Sequence, residues 1–261
     1  MRSLARAAYS SFRVSLRLRV VSTWAYLNWL LFPVIFTAVG LFVLSRPGAP
    51  DSHLTYGVLG GGLIGYWGIA YLDGGNGIQD ERWSGTLEQI FAVPTPLWAI
   101  LLGRVVGSLL FGLLAFVPTV AFAYFGFHAL VPHLDVARFT ISLGVLTFTF
   151  LAIALTLTPL FALWRWAFSM LNGFELGVYV LCGFMFPVTV LAPWAQGVGA
   201  ALAPTWATRA LYASTTTEGP HDFAAWWTAA IVLSLAYLVA AYFLYALVER
   251  RARVSGELAL A

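Results

Sequence analysis

Apolar residues in this chain gather in runs too long and too uniform to be the buried stripe of a soluble helix. They fill 21–44, 54–78, 97–126, 137–163, 167–190 and 224–248. As a helix, each run spans roughly 30 Å of hydrocarbon at about 1.5 Å per residue. The pattern predicts an all-α protein with six membrane spans. Between the second and third runs the pattern changes. Read at about 100° per residue, Trp83, Leu87, Ile90, Phe91 and Pro94 share one face while Glu81, Gly85 and Glu88 share the opposite one. Asp80 is placed to cap this segment and Pro94 and Pro96 to end it, while Thr95-Pro96 suits the cap and first residue of the next helix. Residues 80–95 therefore read as a short lateral helix rather than a span.

Composition narrows the class. The chain has 261 residues, of which 61% are hydrophobic and 10% charged, against about 25% charged in an ordinary soluble domain. All 14 basic residues are arginine. With no lysine, the chain has neither the Walker lysine of a P-loop ATPase nor any lysine-based covalent mechanism. Cys182 is the single cysteine and lies in an apolar run, so it reads as a core residue and no disulfide framework exists. A net charge of +3, spread thinly, offers no basic patch for nucleic acid.

Residues 1–20 put Arg2, Arg6, Arg13 and Arg17 on one side of a helix and Leu4, Ala8, Phe12 and Leu16 roughly on another, without the apolar core of a signal peptide. This predicts an interfacial helix; a basic tail that only orients the chain is the plainer alternative. With six spans and the amino terminus inside, Arg2, Arg6, Arg13, Arg17, Arg19, Arg82, Arg104, Arg165, Arg250, Arg251 and Arg253 are cytoplasmic, and only Arg46, Arg138 and Arg209 lie outside. The positive-inside rule then sets both termini and the lateral helix in the cytosol. No soluble domain, low-complexity tract or internal repeat interrupts a single membrane domain over 1–261.

Four features within the spans carry chemistry or packing. Gly57, Gly61, Gly65 and Gly68 recur at helical spacing, which lets another helix approach closely. Gly60, Gly62 and Gly65 also fit a dinucleotide fingerprint, but no strand precedes them and the match reads as chance. Pro118 and Pro159 predict kinks, with the Thr119 and Thr158 hydroxyls available to the freed backbone groups. Glu175 lies ten residues past Arg165, hence roughly 15 Å into the bilayer. An ionised carboxylate there costs on the order of 2.5–3.5 kcal/mol, so Glu175 is expected to face the bundle interior, be paired or hold its proton. Asn172 and Tyr179 lie one turn away, and the group reads either as part of a transport pathway or dimer seam, or as polar glue between helices. His53, His128, His133 and His221 fall in or beside the outer segments without metal-ligand spacing. Many tryptophans lie near span ends, as an aromatic belt would have them.

The order interfacial helix, two spans, lateral helix, four spans resembles the permease subunits of ATP-binding-cassette exporters of the second type. Glu81-Arg82-Trp83-Ser84-Gly85-Thr86-Leu87-Glu88-Gln89, followed by Pro94 and Gly103-Arg104, is similar to the family's acidic and basic pair, Gly-Thr-Leu-Glu, proline, and Gly-Lys or Gly-Arg. Gly183-Phe184-Met185-Phe186-Pro187, then Pro193-Trp194-Ala195-Gln196 and Pro204 with Arg209, is similar to the end of the family's fifth span and the short helices that dip back into the outer leaflet over 191–223. Ala192-Pro193 and Ala203-Pro204 depart from the family's usual Leu-Pro and Asn-Pro.

The resemblance implies a plasma-membrane permease with no cofactor of its own. It would pair with a second copy or a paralogue and with two ATP-binding subunits that hold ATP and Mg. Glu81, Arg82, Gly85, Thr86, Leu87 and Glu88 would form the coupling helix that meets those subunits. The cargo would be a drug, lipid, lipid-linked saccharide or peptide. The rival reading is a proton-coupled secondary transporter using Glu175, although such folds usually carry internal repeats and several intramembrane ionisable groups. A membrane protease would need a histidine inside a span, and a channel a filter or ring of charge; the chain offers neither.

Overall fold

The computed structural model describes the backbone of residues 2–21, 23–44, 51–83, 96–128, 133–163, 171–217 and 221–255, and within these the side chains of 6–17, 30–44, 54–71, 96, 98–128, 133–160, 173–217, 221–248 and 250. The described residues form α-helices and no β-strand. The helices are α1 (Arg2–Val21), α2 (Thr23–Leu44), α3 (Asp51–Trp83), α4 (Leu97–Leu113), α5 (Phe116–Phe127), α6 (Val136–Leu163), α7 (Leu171–Leu181), α8 (Pro193–Ala200), α9 (Ala203–Ala213) and α10 (Phe223–Ser255), with a 3-10 turn at Val188–Val190.

Among the described residues, three stretches are long and apolar enough to cross a membrane: Trp98–Phe127, which is α4 and α5 in series, Val136–Leu160 in α6, and Phe223–Val248 in α10. They coincide with the third, fourth and sixth apolar runs. Leu30–Leu44 of α2 is a shorter apolar helix. Val232, Leu235, Val239, Tyr242 and Phe243 of α10 and Val117, Val120 and Phe125 of α5 are exposed. Apolar faces of that extent, left bare on membrane-length helices, point to a membrane protein.

Helix α3 is the centre of the bundle, packed against α2, α4, α5, α6 and α7. Its middle is glycine-rich and buried: Leu63, Ile64, Tyr66, Trp67, Ala70 and Tyr71 join Phe150 of α6 and Phe184 in one core cluster. Gly57, Gly61 and Gly65 all face α2. A Cβ at Gly57 would lie 2.8 Å from the Leu41 side chain, one at Gly61 2.5 Å from the Pro33 carbonyl oxygen, and one at Gly65 2.3 Å from the Pro33 ring. Gly68 instead faces α7. Among the described residues, polar bonds join the helices at a few places: the Tyr66 hydroxyl donates to Thr147 at 2.8 Å, Thr156 to the Tyr237 carbonyl at 2.9 Å, and Trp227 Nε1 to Ser142 at 3.0 Å. Such bonds contribute on average about 0.6 kcal/mol each in a membrane protein, so close backbone packing carries more of the stability.

The third apolar run breaks at Leu114–Ala115, one turn before Pro118. Proline has no N–H to give the Leu114 carbonyl and its ring crowds that group. The Leu114 carbonyl accepts instead from Val117 N at 3.0 Å, and the Thr119 hydroxyl reaches the Ala115 carbonyl at 3.3 Å and that of Phe116 at 2.9 Å. Around Pro159 the helix continues unbroken, with Thr158 donating to the Ala154 carbonyl at 2.7 Å.

Three boundaries differ from expectation. Asp80 does not cap a new helix, because α3 runs through it to Trp83. Gly74, Gly75 and Gly77 weaken a helix by about 1 kcal/mol each relative to alanine but keep their N–H donors, and no proline stops the turn. Pro96 is the N-cap of α4 rather than its first residue, with φ −63° and ψ 138°. The described helix in 167–190 is also short. It stops at Leu181 because Gly183, at φ +69°, closes a Schellman motif: Phe184 N bonds the Tyr179 carbonyl at 3.1 Å and Gly183 N that of Val180 at 3.2 Å.

Helix α1 lies along α4 and is held there. Ser11 Oγ donates to the Ile100 carbonyl at 2.7 Å and Ser15 Oγ to that of Arg104 at 3.3 Å, while a Cβ at Gly103 would sit 2.0 Å from the Ala8 carbonyl oxygen. Only glycine allows that approach. Gly103→Val is expected to lift α1 off α4. A cysteine pair at positions 11 and 100 is expected to cross-link under mild oxidation in the otherwise unchanged chain and to do so much less in the variant; an unchanged cross-linking yield would contradict the docking.

Candidate functional site

Residues 84–95, with Gly85, Thr86, Leu87 and Glu88, lie outside the described residues. Glu81 and Arg82 belong to the last turn of α3, described by backbone alone. On either side of residues 84–95, Trp83 closes α3 and Pro96 opens α4.

The carboxylate site is built by α3 and α7. Tyr179, one turn beyond Glu175, donates its hydroxyl to Glu175 Oε1. The same oxygen is 3.3 Å from where a Cβ of Gly68 would stand, and the Tyr179 hydroxyl is 3.6 Å from it. The missing side chain at Gly68 is what admits the acid against α3. Aromatic rings line the approach. Phe36 of α2 meets Tyr179 edge-on at 6.2 Å, Tyr71 stacks on Phe174 at 5.8 Å, and Trp67 stacks on Tyr71 at 5.4 Å. Asn172 lies in the first turn of α7, and nothing of its side chain is described. Glu175 and Tyr179 are thus brought together with Gly68, whereas Gly57, Gly61 and Gly65 serve the separate α2 contact.

The segment after α7 turns into the core. Phe184 is fully buried against Tyr179 and Phe150, and its carbonyl accepts from the Tyr212 hydroxyl of α9. A Cβ at Gly60 would be 2.6 Å from that same carbonyl oxygen, so Gly60 admits the descending chain. Gly62 faces Phe116 in turn, and the dinucleotide-like spacing is accounted for by packing within a helix. Among the described residues no group of three His, Cys, Asp or Glu comes together that would hold a metal ion.

Sequence reasoning missed a second polar place. Thr55, Tyr56, Thr208, Arg209, Tyr212 and His221 line a cavity of about 320 Å³ at the end of the bundle where α3 and α10 begin. A run of hydroxyls and one arginine over 205–216, inside an otherwise apolar stretch, was the available signal.

The described residues define an all-helical protein in which three helical stretches are suited to crossing a membrane. No protein-family model matches the chain, and no curated protein matches it at a significant level.

Proposed function

We propose that the chain is the membrane-spanning permease subunit of an ATP-binding-cassette exporter. It crosses the plasma membrane six times, with both termini cytoplasmic. It pairs with a second copy or a paralogue and is driven by two separate ATP-binding subunits, which hold ATP and Mg. Residues 80–95 form the coupling segment, with Glu81, Arg82, Gly85, Thr86, Leu87 and Glu88 meeting those subunits. The observation that carries this reading is the order of parts. A helix docked along the base of α4 precedes two helices, then the charged segment, and α7 ends at Gly183 before two short helices that precede a last apolar helix.

Glu175 is given a place on the transport pathway or at the seam between permeases. Among the described residues nothing lies within 4 Å of a Cβ at Gly173 or Gly177, and Leu176 and Val180 beside them are exposed, so α7 carries an open surface beside the acid. Such small-residue surfaces let membrane helices pack closely. The cargo is a drug, lipid, lipid-linked saccharide or peptide.

The test is transport into vesicles holding the chain with its ATP-binding subunits. Transport is expected to need ATP and to survive a protonophore. Loss on collapsing the proton gradient, with ATP present, would favour the secondary transporter that uses Glu175. Glu175→Gln keeps an acceptor for Tyr179, so its melting temperature is expected to stay put while transport falls. Unchanged transport would reduce the residue to interhelical glue.

A further inference from the structure

We infer that the cavity at the α3–α9–α10 end of the bundle is a binding site for a phosphate-bearing headgroup. The inference is independent of the exporter reading, since it uses neither the coupling segment nor Glu175.

The cavity exists because α7 stops. Once Gly183 ends the helix, Cys182, Gly183, Pro187 and Val188 form one wall of the cavity. Tyr56 of α3, stacked on Tyr212 of α9 with ring centres 3.9 Å apart, forms another. Among the described lining residues, Arg209 is the basic side chain. The Arg209 guanidinium carbon lies 5.5 Å from the centre of the Trp206 ring and 5.7 Å from that of Trp226, so two indoles hold it. No carboxylate among the described residues lies within ion-pair distance of Arg209, and none of the described lining residues is acidic. The neighbouring Asp222 uses Oδ1 to accept Ala225 N at 3.1 Å at the start of α10.

Around this cation stand polar atoms that the fold leaves unsatisfied. Thr55 Oγ1, Thr208 Oγ1 and His221 Nε2 are buried without a hydrogen-bond partner among the described residues, and all three residues line the cavity. Thr55 and Thr208 are 2% and 1% exposed. Buried hydroxyls are normally paired, so orphans gathered at one cavity call for an acceptor from outside the chain. They come from three separate places: the start of α3, the middle of α9 and the approach to α10. A tetrahedral oxyanion offers acceptors in several directions at once, whereas a planar carboxylate offers two oxygens in one plane. A guanidinium matches phosphate oxygens in pairs, and hydroxyls complete the shell. The volume suits a small phosphate ester, and the indole and phenol walls suit the apolar part attached to it. Both a phospholipid headgroup and a soluble phosphate ester supply that chemistry.

The experiment is native mass spectrometry of the full chain in detergent, titrated with phosphatidylglycerol, glycerol phosphate or diacylglycerol. Retention of phosphatidylglycerol is the expected result, with Arg209→Gln weakening it roughly ten- to hundredfold, the range for losing a hydrogen bond to a charged group. Retention of glycerol phosphate as well assigns the source to soluble esters, and retention of the lipid alone assigns it to the bilayer; either supports the site. If Arg209→Gln fails to fold, the nearly isosteric Thr208→Val is read in its place and should also weaken retention. The inference is overturned if diacylglycerol is retained as well as the phospholipid, if no phosphate bearer is retained, or if the folded variant binds as the unchanged chain does.

Discussion

Gly61→Leu is expected to leave no properly folded protein to purify. A Cβ there would stand 2.1 Å from Thr37 Oγ1, 2.5 Å from the Pro33 carbonyl oxygen and 2.8 Å from Thr37 N. Two of these are backbone atoms, so no rotamer change relieves them. Overpacking a core that can shift costs about 1–3 kcal/mol; here α2 must retreat as a body, and its contacts at Gly57 and Gly65 go with it. With interhelical hydrogen bonds contributing roughly 0.6 kcal/mol apiece, the remaining polar bonds cannot offset that loss. Gly144→Leu is the control, since among the described residues nothing lies within 4 Å of a Cβ at Gly144. The measurement is the fraction eluting as a single species in detergent, with its melting temperature. Equal behaviour of the two variants would mean that α2 and α3 do not pack through these glycines.

The second large effect concerns coupling. On the proposed function, Gly85→Trp or Glu88→Arg abolishes the stimulation of ATP hydrolysis by cargo while the chain still inserts and still resembles the unchanged protein in its melt. At the helical spacing read from the sequence, Gly85 and Glu88 share the charged face of the segment, where a missing side chain would permit close approach of another backbone and Glu88 would offer charge to a soluble partner. An indole or a reversed charge at that contact removes the fit without touching the membrane core. Basal hydrolysis by the ATP-binding subunits should persist. Full stimulation in both variants would mean that residues 80–95 are only a connector.

Much of the bundle was legible because the relevant forces are local or periodic. The helical spacing of Gly57, Gly61 and Gly65 announced a close contact, and α2 fills it. Pro118 announced a break, which falls one turn earlier because proline acts on the carbonyl four residues before it. The end of α7 was not legible from hydropathy, since 182–190 is as apolar as the helix before it; the left-handed Gly183 decides it, and glycine alone does not say which sign its φ will take. Docking of α1 on α4 escaped for a related reason. Gly103 read as part of a motif, and only the fold shows the Ala8 carbonyl pressed against it. The Glu175–Tyr179 pair was visible from i,i+4 spacing, but its seat against Gly68 joins residues far apart in sequence. The polar cavity is assembled from α3, α9 and α10, and no window of sequence contains it.

The most direct test of a permease driven by another chain's nucleotide chemistry is a photo-cross-linker at position 88 in intact cells, with the captured chain identified by mass spectrometry. The account predicts a cytoplasmic protein carrying Walker motifs, captured less when Gly85 is replaced by tryptophan. Capture of no such protein, or labelling of position 88 only by reagents confined to the outer side of the membrane, would contradict it.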